Sequence, residues 1–195
     1  MKTLLVNNYL LKPSKIRRLK KEISLITNEP PKIIHVSNAH DFNVEKYSAI
    51  VLSGGDAPLN WIEVAETYSK VASWIREIKK PILGICFGHQ LLGFTFGGRV
   101  AQFKRKFEGF YEIDILNHDN IFRDLPNKIK VYKSNMRVVA KIMHDFEILA
   151  TGSDYEIEAF KHKNHKVFGV QFHPEYYSND YYYGKKILEN FFSIV

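Results

Sequence analysis

The chain has 195 residues, 45% hydrophobic and 25% charged, which suits one globular domain over residues 1–195 and excludes a disordered or fibrous protein. No apolar run reaches the roughly 20 residues needed to cross a bilayer. Met1 to Asn8 also lacks the basic start and long apolar stretch of a targeting segment, so no membrane association and a cytoplasmic location are expected. The net charge of +7 is spread over separate groups (Lys15 to Lys21, Lys104 to Lys106, Lys161 and Lys163), so nucleic-acid binding is not expected, and an acidic partner or phosphorylated substrate fits as well.

In chain order, Thr3 to Val6 is a short apolar run that predicts a buried strand. Ile16, Leu19, Ile23 and Ile26 recur at helical spacing, with Ser14 as candidate cap. Lys32 to Val36 and Tyr47 to Leu52 read as the next strands, the second leading into Ser53-Gly54-Gly55. A stripe from Trp61 through Val64, Tyr68, Val71 and Ile75 predicts one amphipathic helix that faces the core. Ile82 to Ile85 is another apolar run. Alternation of this kind predicts βαβ units and a mostly parallel sheet covered on both faces.

The second half changes character. Tyr111 to Leu116, Lys128 to Tyr132, Glu147 to Ala150, Ile157 to Phe160 and Val167 to Phe172 read as further strands. A last helix is expected from about Asn179 to Phe192. The tyrosines around it, Tyr176, Tyr177 and Tyr181 to Tyr183, suit aromatic packing better than a binding surface.

Cys86 is the only cysteine, so it can form no internal disulfide or multi-cysteine metal site. It lies in Gly84-Ile85-Cys86-Phe87-Gly88-His89-Gln90, between an apolar run and a helical pattern. A sharp strand-to-helix turn brings backbones close and needs glycines beside the turn residue. A thiol there stands at a helix N-terminus, where free amides favour its anion. Val170-Gln-Phe-His-Pro-Glu175 supplies a proton shuttle, with His173 as base and Glu175 to orient the imidazole.

These two stretches resemble, in order and separation, the signatures of class I glutamine amidotransferases. The resemblance covers nearly the whole chain. It implies a flavodoxin-like α/β fold of three layers, with a central mostly parallel sheet, helices on both faces and extra β structure in the second half. It implies hydrolysis of L-glutamine to glutamate and ammonia through a cysteine thioester, with Cys86, His173 and Glu175 as the triad. Backbone N–H groups of Phe87 and of Gly54 or Gly55 would form the oxyanion hole, and Gln90 would contact substrate. His89 is assigned to packing. The chemistry needs no metal or organic cofactor.

No synthetase domain fits within 195 residues, so the resemblance implies that ammonia passes to a separate synthetase subunit of ATP-pyrophosphatase type. The Ser-Gly-Gly loop, Val131-Tyr-Lys-Ser134 and Glu158-Ala-Phe160 resemble the glutaminase subunit of GMP synthetases. Three positions depart from that pattern: Asn135 replaces a histidine, Arg137 an aspartate, and Asp56 a proline. The alternatives are a stand-alone γ-glutamyl hydrolase and an inactive binding or regulatory module.

Overall fold

The computed structural model describes residues 1–39, 43–56, 60–77, 79–118 and 120–195. Among these, the strands are β1 (Thr3–Asn8), β2 (Lys32–His35), β3 (Ala49–Gly55), β4 (Ile82–Ile85), β5 (Arg99–Ile115), β6 (Lys128–Lys141), β7 (Phe146–Thr151), β8 (Ala159–His162) and β9 (Val167–Val170). The α-helices are α1 (Arg17–Thr27), α2 (Trp61–Thr67), α3 (Ser69–Glu77), α4 (Phe87–Thr95) and α5 (Tyr183–Ser193). One mixed sheet runs in the order β2-β1-β3-β4-β9-β8-β7-β5-β6. The segment from β2 to β9 is parallel, and the remainder is antiparallel.

The parallel strands are short, apolar and almost wholly buried because both of their faces are covered. Leu5, Val51, Leu83, Ile85 and Val170 pack with Leu19 and Ile23 of α1 and Ile187, Leu188 and Phe191 of α5. Their neighbours Leu4, Val6, Ile50, Leu52 and Ile82 point the other way, onto Val64, Val71 and Ile75 of α2 and α3 and Leu91 and Leu92 of α4. The period-2 alternation of a strand thus divides the apolar residues between two cores. The expected α/β three-layer architecture with added β structure is what is found.

Several local expectations are corrected. Ser14 caps nothing: Pro13–Ile16 forms a 3-10 turn without a side-chain cap, and α1 follows at Arg17. The single helix expected from Trp61 to Ile75 is two, separated at Tyr68, whose hydroxyl donates to the carbonyl of Asn8 at 3.3 Å. Its first part carries a capping box, in which Asn60 accepts from Ile62 and Glu63 while Glu63 accepts from the N–H of Asn60. The last helix begins at Tyr183, four residues later than expected. In the second half, Tyr111 to Ile115 and Lys128 to Tyr132 are ends of two long paired strands, of 17 and 14 residues. Among the described residues no helix is long and apolar enough to cross a membrane.

Candidate active site

Strand β4 ends at Ile85 and α4 begins at Phe87, leaving Cys86 alone to make the turn. Its backbone is forced to φ 51° and ψ −99°, a conformation costing an L-residue on the order of 1–3 kcal/mol. Two hydrogen bonds hold it there: the N–H of Cys86 donates to the carbonyl of Val170 at 2.8 Å, and the N–H of Gln90 to that of Cys86 at 3.1 Å. The flanking glycines are required by space. A Cβ on Gly88 would lie 2.4 Å from the carbonyl oxygen of Leu52, and one on Gly84 would lie 2.6 Å from the backbone of Gly88. The helix therefore crosses β3 and β4 at backbone contact. Phe87 opens α4, so its N–H has no acceptor within the helix.

His173 and Glu175 follow β9, beside β4 in the sheet. The Nδ1 of His173 is 2.8 Å from Oε1 of Glu175, with both side chains buried. Burial opposes charge on the imidazole, but the Glu175 carboxylate and the Cys86 sulfur, with hydrogen bonds to both, outweigh it and hold His173 well above its ordinary range. The N–H of His173 donates to the carbonyl of Tyr132 at 2.8 Å. A Cβ on Gly54 would lie 2.8 Å from Cε1 of His173, so the Ser-Gly-Gly loop packs its bare backbone against the imidazole. Cys86, His173, Gly54, Gly55 and Phe87 are thus brought together.

A cavity of about 360 Å³ opens over Cys86, lined among others by Gln90, Lys15, Lys106, Arg137 and Asp56. The side-chain amide of Gln90 donates to the carbonyls of Arg137 at 2.8 Å and of the Gln171 side chain at 3.3 Å. Two of the three departures lie in its wall as neighbours: Asn135 donates to the Arg137 carbonyl at 3.1 Å, and Arg137 Nε donates to Gln102 at 3.4 Å. Asp56 has a visible task that a proline could not perform. Its carboxylate accepts the N–H groups of Leu11 at 3.0 Å and Lys12 at 2.9 Å, tying the loop after β3 to the one after β1.

His89 lies apart from this chemistry. It is fully buried with its ring 4.5 Å from that of Phe160, and burial lowers it to about 3, leaving it neutral. The tyrosines are chiefly packed: Tyr176 lies edge-on to His173 and against Tyr132, while Tyr182 is exposed.

Three contributors escape a reading of the sequence. Gln171 sits inside the His-Pro-Glu stretch, and its side-chain amide lies 3.8 Å from the Cys86 sulfur. Arg18, on a helix face that reads as solvated charge, donates from Nε to the carbonyl of Glu175 at 2.6 Å and lies over the ring of Tyr176. Lys133 and Glu158 form a buried ion pair. Only for Gln171 was there a signal, its place in the motif.

The whole arrangement, a strained cysteine between strand and helix faced by a carboxylate-bound histidine, is matched by family. The class-I glutamine amidotransferase family covers residues 8–195, and the chain belongs to it. Its curated relatives include the smaller, glutamine-hydrolysing component of the GMP synthase of Pyrococcus abyssi, 35% identical over 90% of each chain. The corresponding GMP synthase component of Methanosarcina acetivorans is 34% identical over 100% of this chain and 96% of the relative. Among solved structures, a candidate GMP synthase component from Thermoplasma acidophilum superposes with a TM-score of 0.81 at 28% identity, covering 100% of this chain and 94% of the other. A glutamine amidotransferase from Thermotoga maritima, 19% identical, shares the fold with a TM-score of 0.83 over 100% of this chain and 97% of the other.

Proposed function

We propose that this chain is the glutaminase subunit of a two-subunit GMP synthase, and that Cys86, His173 and Glu175 carry its chemistry. The observation that carries the reading is the buried His173–Glu175 pair facing the Cys86 elbow, together with near full-length similarity to GMP synthase components. The Cys86 thiolate adds to the side-chain carbonyl carbon of L-glutamine. Negative charge that develops on the oxygen is met by the N–H of Phe87 and of Gly54 or Gly55, donors of a kind worth roughly 10²–10³ in rate. The C–N bond then breaks, and the imidazolium of His173 gives its proton to the departing ammonia. A water molecule, deprotonated by His173, attacks the thioester, releases glutamate and restores the thiol. Glu175 keeps the imidazole oriented and stabilises its cation throughout.

Gln90 contacts the substrate, and the cavity's excess of cationic side chains (Lys15, Lys106 and Arg137 against Asp56) suits an amino acid with a free α-carboxylate. The ammonia passes to a separate ATP-pyrophosphatase subunit, the chain acting as a single amidotransferase domain in the cytoplasm. The test is glutamate release from glutamine by the purified chain and by Cys86→Ala, alone and with an ATP-pyrophosphatase subunit, ATP and XMP. Cys86-dependent release that rises with the partner is expected. Full activity without any partner effect would instead favour a stand-alone hydrolase, and equal release from Cys86→Ala would remove the triad assignment.

A further inference from the structure

The buried ion pair of Lys133 and Glu158 has no part in the chemistry above, and its location is unusual. The two side chains are 1% and 0% exposed. The Lys133 ammonium contacts the Glu158 carboxylate and lies 4.5 Å from the ring centre of Tyr155 and 5.1 Å from that of Tyr111. Desolvating such a pair costs several kcal/mol per ion, and apolar side chains of equal volume commonly serve stability as well or better. The cost is visible here: burial drives Glu158 up to about 7 against the opposing pull of Lys133. Stability alone does not account for the pair.

Its neighbours do. Lys133 lies between Tyr132, whose carbonyl accepts the N–H of His173 at 2.8 Å, and Ser134, whose carbonyl stands 3.9 Å from the Cys86 sulfur. The carbonyl of Glu158 accepts the N–H of Gln171 at 2.8 Å, and the Gln171 side chain reaches both the Cys86 sulfur and Gln90. Each partner of the ion pair therefore belongs to a backbone segment that touches the nucleophile. No ladder fixes the spacing of those segments, because β7 and β5 stand between β8 and β6 in the sheet. The side-chain pair is a direct tie across that gap.

We propose that Lys133 and Glu158 are positioning residues: their pair sets the separation of β6 from the start of β8 and thereby registers Cys86 against His173. This rests on the reading of those two residues as nucleophile and base. Misplacement of reacting groups by about 1 Å can cost on the order of 10²-fold in rate, whereas substrate contacts made by the far wall of the cavity are left in place. A loss in kcat with little change in KM is the signature.

The experiment compares the parent with the apolar double variant Lys133→Met/Glu158→Met, which leaves no unpaired buried charge and so keeps the fold. Thermal melting establishes that both are folded. The glutaminase kcat is expected to fall about tenfold or more in the double variant with KM within about twofold. The second-order rate of Cys86 alkylation by iodoacetamide, an uncharged reagent that needs no glutamine site, is expected to fall severalfold in parallel. A folded double variant with parental kcat and parental alkylation rate overturns the proposal. If the parent itself releases no glutamate, the functional reading fails, but the alkylation rates still decide whether the pair positions Cys86. A double variant that fails to fold also overturns it, since the pair is then needed for stability.

Discussion

The parallel and antiparallel parts of the sheet contribute to the site by different physical means. The parallel part presents Cys86 through backbone geometry: β4, α4 and β3 meet so closely that a methyl group on Gly84 or Gly88 would strike main-chain atoms. The other side presents His173 through paired polar groups, namely the Glu175 carboxylate, the Tyr132 carbonyl and, behind it, the Lys133–Glu158 pair. A nucleophile held by the main chain is rigid, and altering it threatens the fold. A base held by side chains can lose its support one group at a time, with the fold intact.

The largest effect expected from that difference is on rate. Glu175→Gln preserves side-chain size and removes the charge that holds the His173 imidazolium, and glutaminase kcat should fall about 10²–10⁴-fold. The His173 ring protons, followed by NMR, should titrate at lower pH than in the parent, because the carboxylate is the chief raising influence on this group. The sign for stability follows. With the folded value above the ordinary 6.5, the contribution of His173 is fully present below that pH and lost as pH rises through the folded value. In Glu175→Gln this alkaline loss should shrink. A parental titration and rate would show that His173 is not supported by Glu175.

Glycine substitutions sharpen the contrast on the folding side. Gly88→Ala places a Cβ 2.4 Å from the Leu52 carbonyl, and backbone cannot yield as a side-chain tip can. A loss of about 3 kcal/mol or more is expected, roughly 6–12 °C in Tm for a chain of this size. Gly109 in β5 has φ +120°, yet nothing lies within 4 Å of its would-be Cβ, so Gly109→Ala should cost only about 1–2 kcal/mol of backbone strain. Equal melting temperatures for the two would contradict the view that the elbow is limited by space and the long strand by dihedral angle.

The same difference decides how much could be read from the sequence. The strands from Thr3 to Val170 that are parallel are short apolar runs because both faces are buried, and such runs are legible one by one. Cys86 and the His-Pro-Glu stretch were legible because an elbow and a shuttle need particular residue types at fixed local spacing. The first part of β5 was not, since Arg99 to Lys106 is largely exposed and carries Lys104, Arg105 and Lys106, with no alternation to mark a strand. The break at Tyr68 was hidden because its cause, a bond to Asn8, lies 60 residues away. The Lys133–Glu158 pair joins positions 25 apart, and a lysine in a strand pattern reads as surface until its partner is placed.

The smallest effect tests whether α1 belongs to the site. Its face looks like solvated charge, yet Arg18 donates to the carbonyls of Glu175 at 2.6 Å and Tyr177 at 3.3 Å, and Tyr177 donates to Glu22 at 2.6 Å. These bonds join the loop bearing Glu175 to a helix that is itself anchored by Leu19 and Ile23 in the core. Arg18→Ala should lower Tm by only a few degrees, because a partly exposed hydrogen bond to a charged group contributes about 1.5–3 kcal/mol. If the loop depends on the helix, kcat for glutamine should fall about threefold to tenfold with unchanged KM, and Arg18→Lys should recover only part of it, since an ammonium cannot reproduce the planar fork over Tyr176. An unchanged kcat in a folded Arg18→Ala would mean that the His-Pro-Glu loop is held from the strand side alone, by the N–H of His173 on Tyr132.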